Sequence, residues 1–207
     1  MQIDPASLDP KTVHKLMIGT VVPRPIAWIT SHNGGGAWNA APFSYFNAVS
    51  SRPCVVSTSF SYKPHSQDGH KDTLNNILET GEYCINVVNG ALAEAMNLTS
   101  TDYPSDYDEL GEAGLSHEPC QSITGRRISG SPVAFECRLR QSVQVGEGPG
   151  SATLVLGDVL QIHVADSLVD QGYRVDIRGL DPGGRLAGDG YSYTRELFEL
   201  VRRPFRG

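Results

Sequence analysis

Three groups of residues in the chain have the types and spacing for ligand chemistry. The first, Asn39-Ala40-Ala41-Pro42-Phe43-Ser44-Tyr45-Phe46-Asn47, mixes aromatic and polar side chains around a proline. Pro42 has no N–H and so favours a strand edge or a break, where neighbouring backbone groups are free to meet a ligand. The second, Ser57-Thr58-Ser59, places three hydroxyls toward the end of an apolar run. The third, Lys71-Asp72-Thr73, opens a helix-like segment whose free N–H groups and positive dipole end suit a phosphate. Lys71 adds a full charge and Thr73 a hydroxyl. Asp72 would repel a phosphate unless it turns away to cap the helix, which is the role expected of it. Together the three groups could hold a planar polar ring at the first and a phosphate at the other two. The same residues also fit a plain reading as an ordinary bend, an exposed strand and an ordinary helix cap.

Other candidate chemistry falls away. Cys54, Cys84, Cys120 and Cys137 contain no C-x-x-C pair, and three of them lie in strand-like runs, so buried free thiols are expected. The six histidines lack metal-ligand spacing, and no metal site is expected. Gly34-Gly35-Gly36 is followed by neither G-K-[ST] nor a helical pattern, which makes it a turn rather than a phosphate loop. No G-x-G-x-x-G follows a strand, so a dinucleotide is not held in Rossmann fashion. Asn97-Leu98-Thr99 is read as a chance match to a glycosylation acceptor.

The elements that must position the three groups are mostly strands. Pro25 to Ser31 and a run beginning at Ala37 flank the Gly-rich tip as a hairpin. Cys54 to Phe60 and Tyr83 to Val88 read as strands. Pro132 to Val145 and Ala152 to Ala165 are the longest strand candidates, joined by Gly146-Glu147-Gly148-Pro149-Gly150. Lys71 to Gly81 reads as a helix with Leu74, Ile77 and Leu78 on its apolar face and Gly81 at its end. Ala91 to Leu98 is a second short helix, residues 100–125 are a surface excursion, and Thr194 to Val201 is a closing helix or strand. Six or seven strands linked largely by Gly-rich turns, without βαβ alternation, predict a mainly β protein: an antiparallel barrel with short flanking helices.

The chain has 207 residues, and a single domain over 1–207 is expected. Its 17 Lys and Arg against 23 Asp and Glu give a net charge of −6. Asp72 to Gly125 holds ten acids and no Lys or Arg, with Lys71 before the stretch and Arg126 and Arg127 after it as the cations nearest an anionic ligand. The only basic cluster is Arg202, Arg203 and Arg206, too short a face for nucleic acid. No apolar run exceeds four residues, Ile26 to Ile29, so no membrane-crossing helix is expected. The start, Met1-Gln2-Ile3-Asp4-Pro5, has no secretory pattern, and a cytoplasmic location is expected.

Val22-Pro23-Arg24-Pro25-Ile26-Ala27-Trp28-Ile29 followed by Asn39 to Asn47, and Lys71-Asp72-Thr73-Leu74-Asn75-Asn76-Ile77 leading to Ile85-Asn86-Val87-Val88, resemble the flavin reductase-like FMN-binding split-barrel family, of the flavoredoxin type. Met96-Asn97-Leu98-Thr99-Ser100, Leu156-Gly157-Asp158-Val159, Ile162-His163-Val164 and the stretch from Gly184 to Tyr191 extend the resemblance over roughly residues 10 to 204. The resemblance implies a split β-barrel that binds FMN as a homodimer. It implies that backbone around Asn39, Ala41, Pro42, Phe43 and Ser44 meets the flavin ring. Ser57, Thr58, Ser59, Lys71, Asp72 and Thr73 would then hold the phosphate, and Tyr191 would approach the flavin. The implied activity is hydride transfer from NAD(P)H to flavin, with a monooxygenase or another electron-acceptor protein as a candidate partner. The other readings are an FMN-binding electron carrier without its own substrate, and a barrel that binds another ligand or none. His163 is a candidate nicotinamide contact, although a strand histidine also fits an ordinary surface position. No side chain is assigned as general acid or base, because the cofactor carries the chemistry.

Overall fold

The computed structural model describes residues 1–35 and 38–205. The chain begins with a helix, α1 (Pro10–Thr20), whose N-cap Asp9 accepts the backbone N–H groups of Lys11 and Thr12. Then come β1 (Arg24–Pro25), β2 (Ala27–His32), β3 (Trp38–Phe43), β4 (Phe46–Ser51) and β5 (Cys54–Ser61). The middle of the chain forms α2 (Asp72–Thr80), β6 (Glu82–Val87), α3 (Ala93–Leu98), α4 (Glu109–Glu112), β7 (His117–Pro119) and β8 (Arg126–Ile128). It ends with β9 (Val133–Val145), β10 (Ala152–Val164), α5 (Ile177–Leu180), β11 (Gly183–Arg185) and β12 (Tyr191–Tyr193).

Seven strands form one sheet in the order β3-β2-β6-β9-β10-β5-β4, and every neighbouring pair is antiparallel. β3 and β4 are therefore its two edges, yet only Ser44 and Tyr45 lie between them in the chain. Three Cα–Cα steps span at most about 11 Å. A flat seven-stranded sheet would separate its edges by roughly 29 Å at ~4.8 Å per strand. The sheet must curl until the edges meet at this link, where the Ser59 N–H donates to the Tyr45 carbonyl at 2.8 Å. The result is the split barrel implied by the resemblance.

The barrel core gathers Ala27, Ile29, Val56, Phe60, Tyr83, Ile85 and Val155, and Leu74 and Ile77 of α2 pack into it. Ile26 and Trp28, on the other face of β2, join Val88, Met96, Leu110 and Ile128 in a second apolar cluster. β2 is thus covered on both sides, which explains its unbroken apolar run. The Trp28 indole N–H donates to the buried Thr99 hydroxyl at 2.9 Å, a packing role for the threonine of the glycosylation-like triplet.

Several sequence expectations are met. β9 and β10 pair as the long hairpin, and Gly146, Gly148 and Gly150 at its tip all have positive φ. β2 and β3 pair from His32↔Trp38 inward, while Gly36 and Ala37 of the expected hairpin lie outside the described residues. All four cysteines are free thiols as expected, but only Cys84 and Cys137 are buried, while Cys54 and Cys120 are partly exposed. No helix among the described residues is long and apolar enough to cross a membrane.

Others need correction. Leu78 is exposed rather than part of the apolar face of α2, because Thr73 and Asn76 take the buried positions beside Leu74 and Ile77. The excursion over 100–125 carries α4 and a strand, β7, which pairs with β8. Beyond Tyr193 the described tail forms neither helix nor strand, and its Phe198, Leu200 and Val201 lie exposed.

Gly157 marks a close approach in the barrel wall. A Cβ built there would overlap the Tyr83 hydroxyl, which is buried and has no hydrogen-bond partner. Gly157→Ala should therefore lower the unfolding free energy by about 1–3 kcal/mol. Tyr83→Phe in the same chain should recover much of that loss, because the overlapping atom is gone. Urea unfolding of the two single variants and the double variant checks this coupling, and additive effects would refute it.

Candidate functional site

The link between β3 and β4 opens onto a cavity of about 300 Å³, within the range of small-molecule sites. Asn39, Ala41, Pro42 and Phe43 reach its wall from edge strand β3, and Ser44 and Tyr45 from the link itself. Pro42 thus lies on an edge, as its missing N–H suggested. Lys71, Asp72 and Thr73 contribute from the start of α2, and Ser59 and Ser61 from β5. Nine of the expected site residues converge here: Asn39, Ala41 to Ser44, Ser59 and Lys71 to Thr73.

The remaining four lie elsewhere. Thr58 is fully buried and alternates with Val56 and Phe60 into the core, so it cannot reach a phosphate in the cavity. Ser57 lies opposite Asn47 in the paired part of β5, where its hydroxyl donates to the Asn47 carbonyl at 3.4 Å. Ser59 and Ser61 are free of that cover because the β4 pairing stops at Phe46, opposite Thr58. His163 faces the fully buried Glu136, with Nε2 2.6 Å from Oε1, and lines neither cavity described here. Glu136 also accepts the N–H groups of Gln121 and Ser122, so the histidine takes part in a clasp with this buried carboxylate. Tyr191 lines an adjoining cavity of about 390 Å³, which shares Pro42, Ser44, Ser100 and Arg185 with the first. The Arg185 guanidinium lies 4.4 Å from the Tyr191 ring centroid.

The expected cap is also corrected. Lys71 is the N-cap of α2 and makes no side-chain cap bond, while Asp72 is the first helical residue. Its carboxylate turns to Lys63 Nζ at 2.8 Å, and the Asp72 pair is the main cause holding the Lys63 ammonium above its usual range. Among the described residues, the one carboxylate within ion-pair distance of Lys71 Nζ is that of the exposed Asp102, at 3.8 Å. An uncapped helix start, a weakly paired lysine and the Ser59 and Ser61 hydroxyls form a donor set that fits a phosphate. Arg126 and Arg127 do not take part: Arg126 stacks on Trp38 at 4.7 Å, and Arg127 pairs with Glu118.

Two buried charged residues on the cavity wall carried no signal in the sequence reading. Arg24 is 5% exposed, and its guanidinium donates to the carbonyls of Ile18, Val21 and Leu186 at 2.8, 2.9 and 3.0 Å, and to the Ser44 hydroxyl at 3.3 Å. One side chain thereby ties the end of α1 and the loop after β11 to the β3–β4 link. Its partners are dipoles, and among the described residues no carboxylate lies within ion-pair distance of it. Glu109 on α4 is 6% exposed and accepts the Ala40 N–H at 2.7 Å. Burial pushes its carboxyl up to about 7, against the pull of the Ala40 and Asn39 hydrogen bonds. The Asn39 amide is occupied on its other side: Oδ1 accepts the Thr73 hydroxyl at 2.5 Å and the Ser31 hydroxyl at 3.4 Å. Asn39 and Thr73 therefore brace the wall, leaving the β3 backbone and the other donors to face a ligand.

A family model for the flavin reductase-like domain matches residues 18–178. An uncharacterised protein of Halalkalibacterium halodurans is 35% identical over 204 residues, covering 98% of this chain and 96% of that one. Nitrilotriacetate monooxygenase component B from Bacillus cereus superposes with a TM-score of 0.90 at 32% identity, covering 97% of this chain and 98% of its own. The 2-nitrobenzoate 2-nitroreductase NbaA of Pseudomonas fluorescens does so with a TM-score of 0.88 at 30% identity, covering 100% and 98%. Flavoredoxin of Desulfovibrio vulgaris shares the fold, with a TM-score of 0.74 at 15% identity and 97% of each chain covered. The architecture and the comparisons define a split-barrel protein related to flavin-dependent oxidoreductases. The chain belongs to the flavin reductase-like family.

The raised carboxyl of Glu109 has a consequence for stability. The folded protein keeps this proton in a pH window where the unfolded chain has lost it, so Glu109 favours folding below its ordinary value of 4.5 and progressively less as pH rises to about 7. Relative to Glu109→Gln, the wild type should lose about 3 kcal/mol of unfolding free energy between pH 4.5 and 8. Urea titrations across that range check the difference, and parallel curves would contradict it.

Proposed function

We propose that the protein is an FMN-dependent flavin reductase that passes hydride from NADH or NADPH to flavin. The observation that carries this reading is the convergence, in one cavity, of edge-strand residues, aromatic rings and phosphate-compatible donors. Bound FMN would supply the redox chemistry, accepting and releasing hydride. The protein's part is to bind, orient and shield. Backbone N–H groups near Ala41 and Ser44 would meet the polar edge of the ring, where negative charge develops on reduction. Phe43 and Tyr45 would give the ring an apolar border. Lys71, the start of α2, Ser59 and Ser61 would hold the phosphate. Arg24 would keep the β3–β4 link in register with α1 through its carbonyl bonds.

The likeness to a monooxygenase component B supports a monooxygenase, or another acceptor of reduced flavin, as partner. We also propose a homodimer. Exposed apolar residues on the β9–β10 hairpin (Val143, Val145, Leu160, Ile162) and on the tail (Phe198, Leu200, Val201) supply the kind of surface that a second copy covers.

The purified protein should be yellow or become so with FMN, and its flavin band should bleach anaerobically with NADH or NADPH. A band that neither nucleotide bleaches would make the protein an electron carrier or an enzyme for another donor. No band after FMN addition would sink the flavin reading. Lys71→Ala should weaken FMN binding by about 1.5–3 kcal/mol while leaving riboflavin binding nearly unchanged, as fluorescence titration would reveal.

A further inference from the structure

Glu109 is a buried carboxylate on the wall of the same cavity to which Lys71, Ser59 and Ser61 bring groups suited to an anion, an arrangement the flavin reading alone does not use. Its setting is closely defined. The four-residue helix α4 points Glu109 at β3, where the Ala40 N–H and the Asn39 amide meet its oxygens. Asn39 in turn holds the Thr73 hydroxyl at the start of α2. A short run of hydrogen bonds therefore leads from this carboxyl to the residues beside which a phosphate would dock.

The charged groups around Glu109 come from several of the elements that border the cavity. Lys63, Lys71, Asp72 and Asp102 cluster at one end, with Lys63 joined to Asp72 at 2.8 Å and both lysines within 4 Å of Asp102. His14 of α1, Arg24 of β1, Tyr103 of the excursion and Arg185 of β11 complete the wall. Within the cluster, three carboxylates face two ammonium groups when Glu109 is ionised, and the charges balance when it is protonated. A dianionic phosphate placed among them would raise the cost of ionising Glu109, whose own carboxyl is buried.

We propose that Glu109 is the proton-linked residue of this cavity, taking up a proton when a phosphate ester docks beside Lys71 and Thr73. The inference rests on the flavin reading for the identity of the ester, but not for the linkage itself. Ligand binding and proton uptake are reciprocal, so the affinity for the phosphate group falls as pH rises and Glu109 ionises. The phosphate's own second ionisation near pH 6 works in the opposite direction. It acts alike on the wild type and on Glu109→Gln, so comparing the two isolates the glutamate.

Calorimetric titration with FMN, riboflavin and inorganic phosphate, in buffers of differing ionisation heat, counts the protons taken up. At pH 7, FMN should bring about half a proton more into the wild type than into Glu109→Gln, and riboflavin should bring no such excess. Between pH 6 and 9 the FMN dissociation constant of the wild type should rise about tenfold relative to that of the variant. Should Glu109→Gln fail to fold, the wild type alone decides, through an uptake with FMN that riboflavin does not reproduce. Uptake with inorganic phosphate but no binding of FMN would uphold the linkage and sink the flavin reading. Equal proton uptake in the two variants, equal uptake with FMN and riboflavin, or binding of neither phosphate compound would overturn the proposal.

Discussion

The two-residue link between β3 and β4 is the constraint on which the rest of the structure depends. It joins the opposite edges of a seven-stranded sheet, and a chain that short cannot cross the face of an open one. Curling the sheet brings the edges together at Ser44 and Tyr45 and lets them part elsewhere. Closure thus produces two things at once: a barrel interior filled by Ile29, Phe60, Tyr83 and Val155, and a seam whose edge backbone is not used up in a ladder. The cavity opens at that seam. A site built from edge backbone belongs where closure is incomplete, because a fully paired barrel has no such groups to offer.

A seam of this kind would be soft without cross-bracing, and buried polar groups supply it. Arg24 binds carbonyls at the end of α1, where the helix dipole favours a cation, and reaches Leu186 from far along the chain. The Asn76–Ser31–Asn39–Thr73 hydrogen bonds tie α2 to β2 and β3. Each of these groups would be costly to bury alone, and each has its partners, so the network selects one arrangement of the wall rather than adding much net stability. Among the described residues, the Thr58 and Tyr83 hydroxyls, Asn89 Oδ1 and Arg127 Nε are buried without a partner.

How much of this was legible in the sequence depended on whether a signal was local. Turn chemistry marked the β9–β10 hairpin, and its strands are long enough to declare themselves. Pro42 marked an edge. Helix α1 was missed although Asp9 and Pro10 form a sound start, because none of its residues is buried and its apolar stripe is correspondingly weak. β4 was missed because, as an exposed edge strand, its sequence Phe46-Asn47-Ala48-Val49-Ser50-Ser51 lacks strong alternation. Arg24 and Glu109 were invisible as site residues for a different reason: their partners lie up to 162 positions away, and nothing near them in the chain announces burial. The hydroxyl triplet could have been read better. Strand alternation alone forbids Ser57, Thr58 and Ser59 from facing one ligand together, since the middle residue must turn to the other face.

By count alone, the acidic stretch from Asp72 to Gly125, with ten acids and no Lys or Arg, argues against the proposed anion site beside it. The structure resolves the conflict by position rather than by number. Most of those acids are exposed, where water screens them within a Debye length of roughly 8 Å. Of those on the cavity wall, Asp72 is paired with Lys63, and Asp102 lies between Lys63 and Lys71. Glu109, the most buried of them, has its carboxyl pushed up to about 7 by its own desolvation. What an incoming anion meets is therefore set by the start of α2, Lys71 and the wall arginines, none of which the net charge of −6 reveals. Total charge describes how the protein behaves at a distance; the field inside the cavity depends on which few groups lose their water.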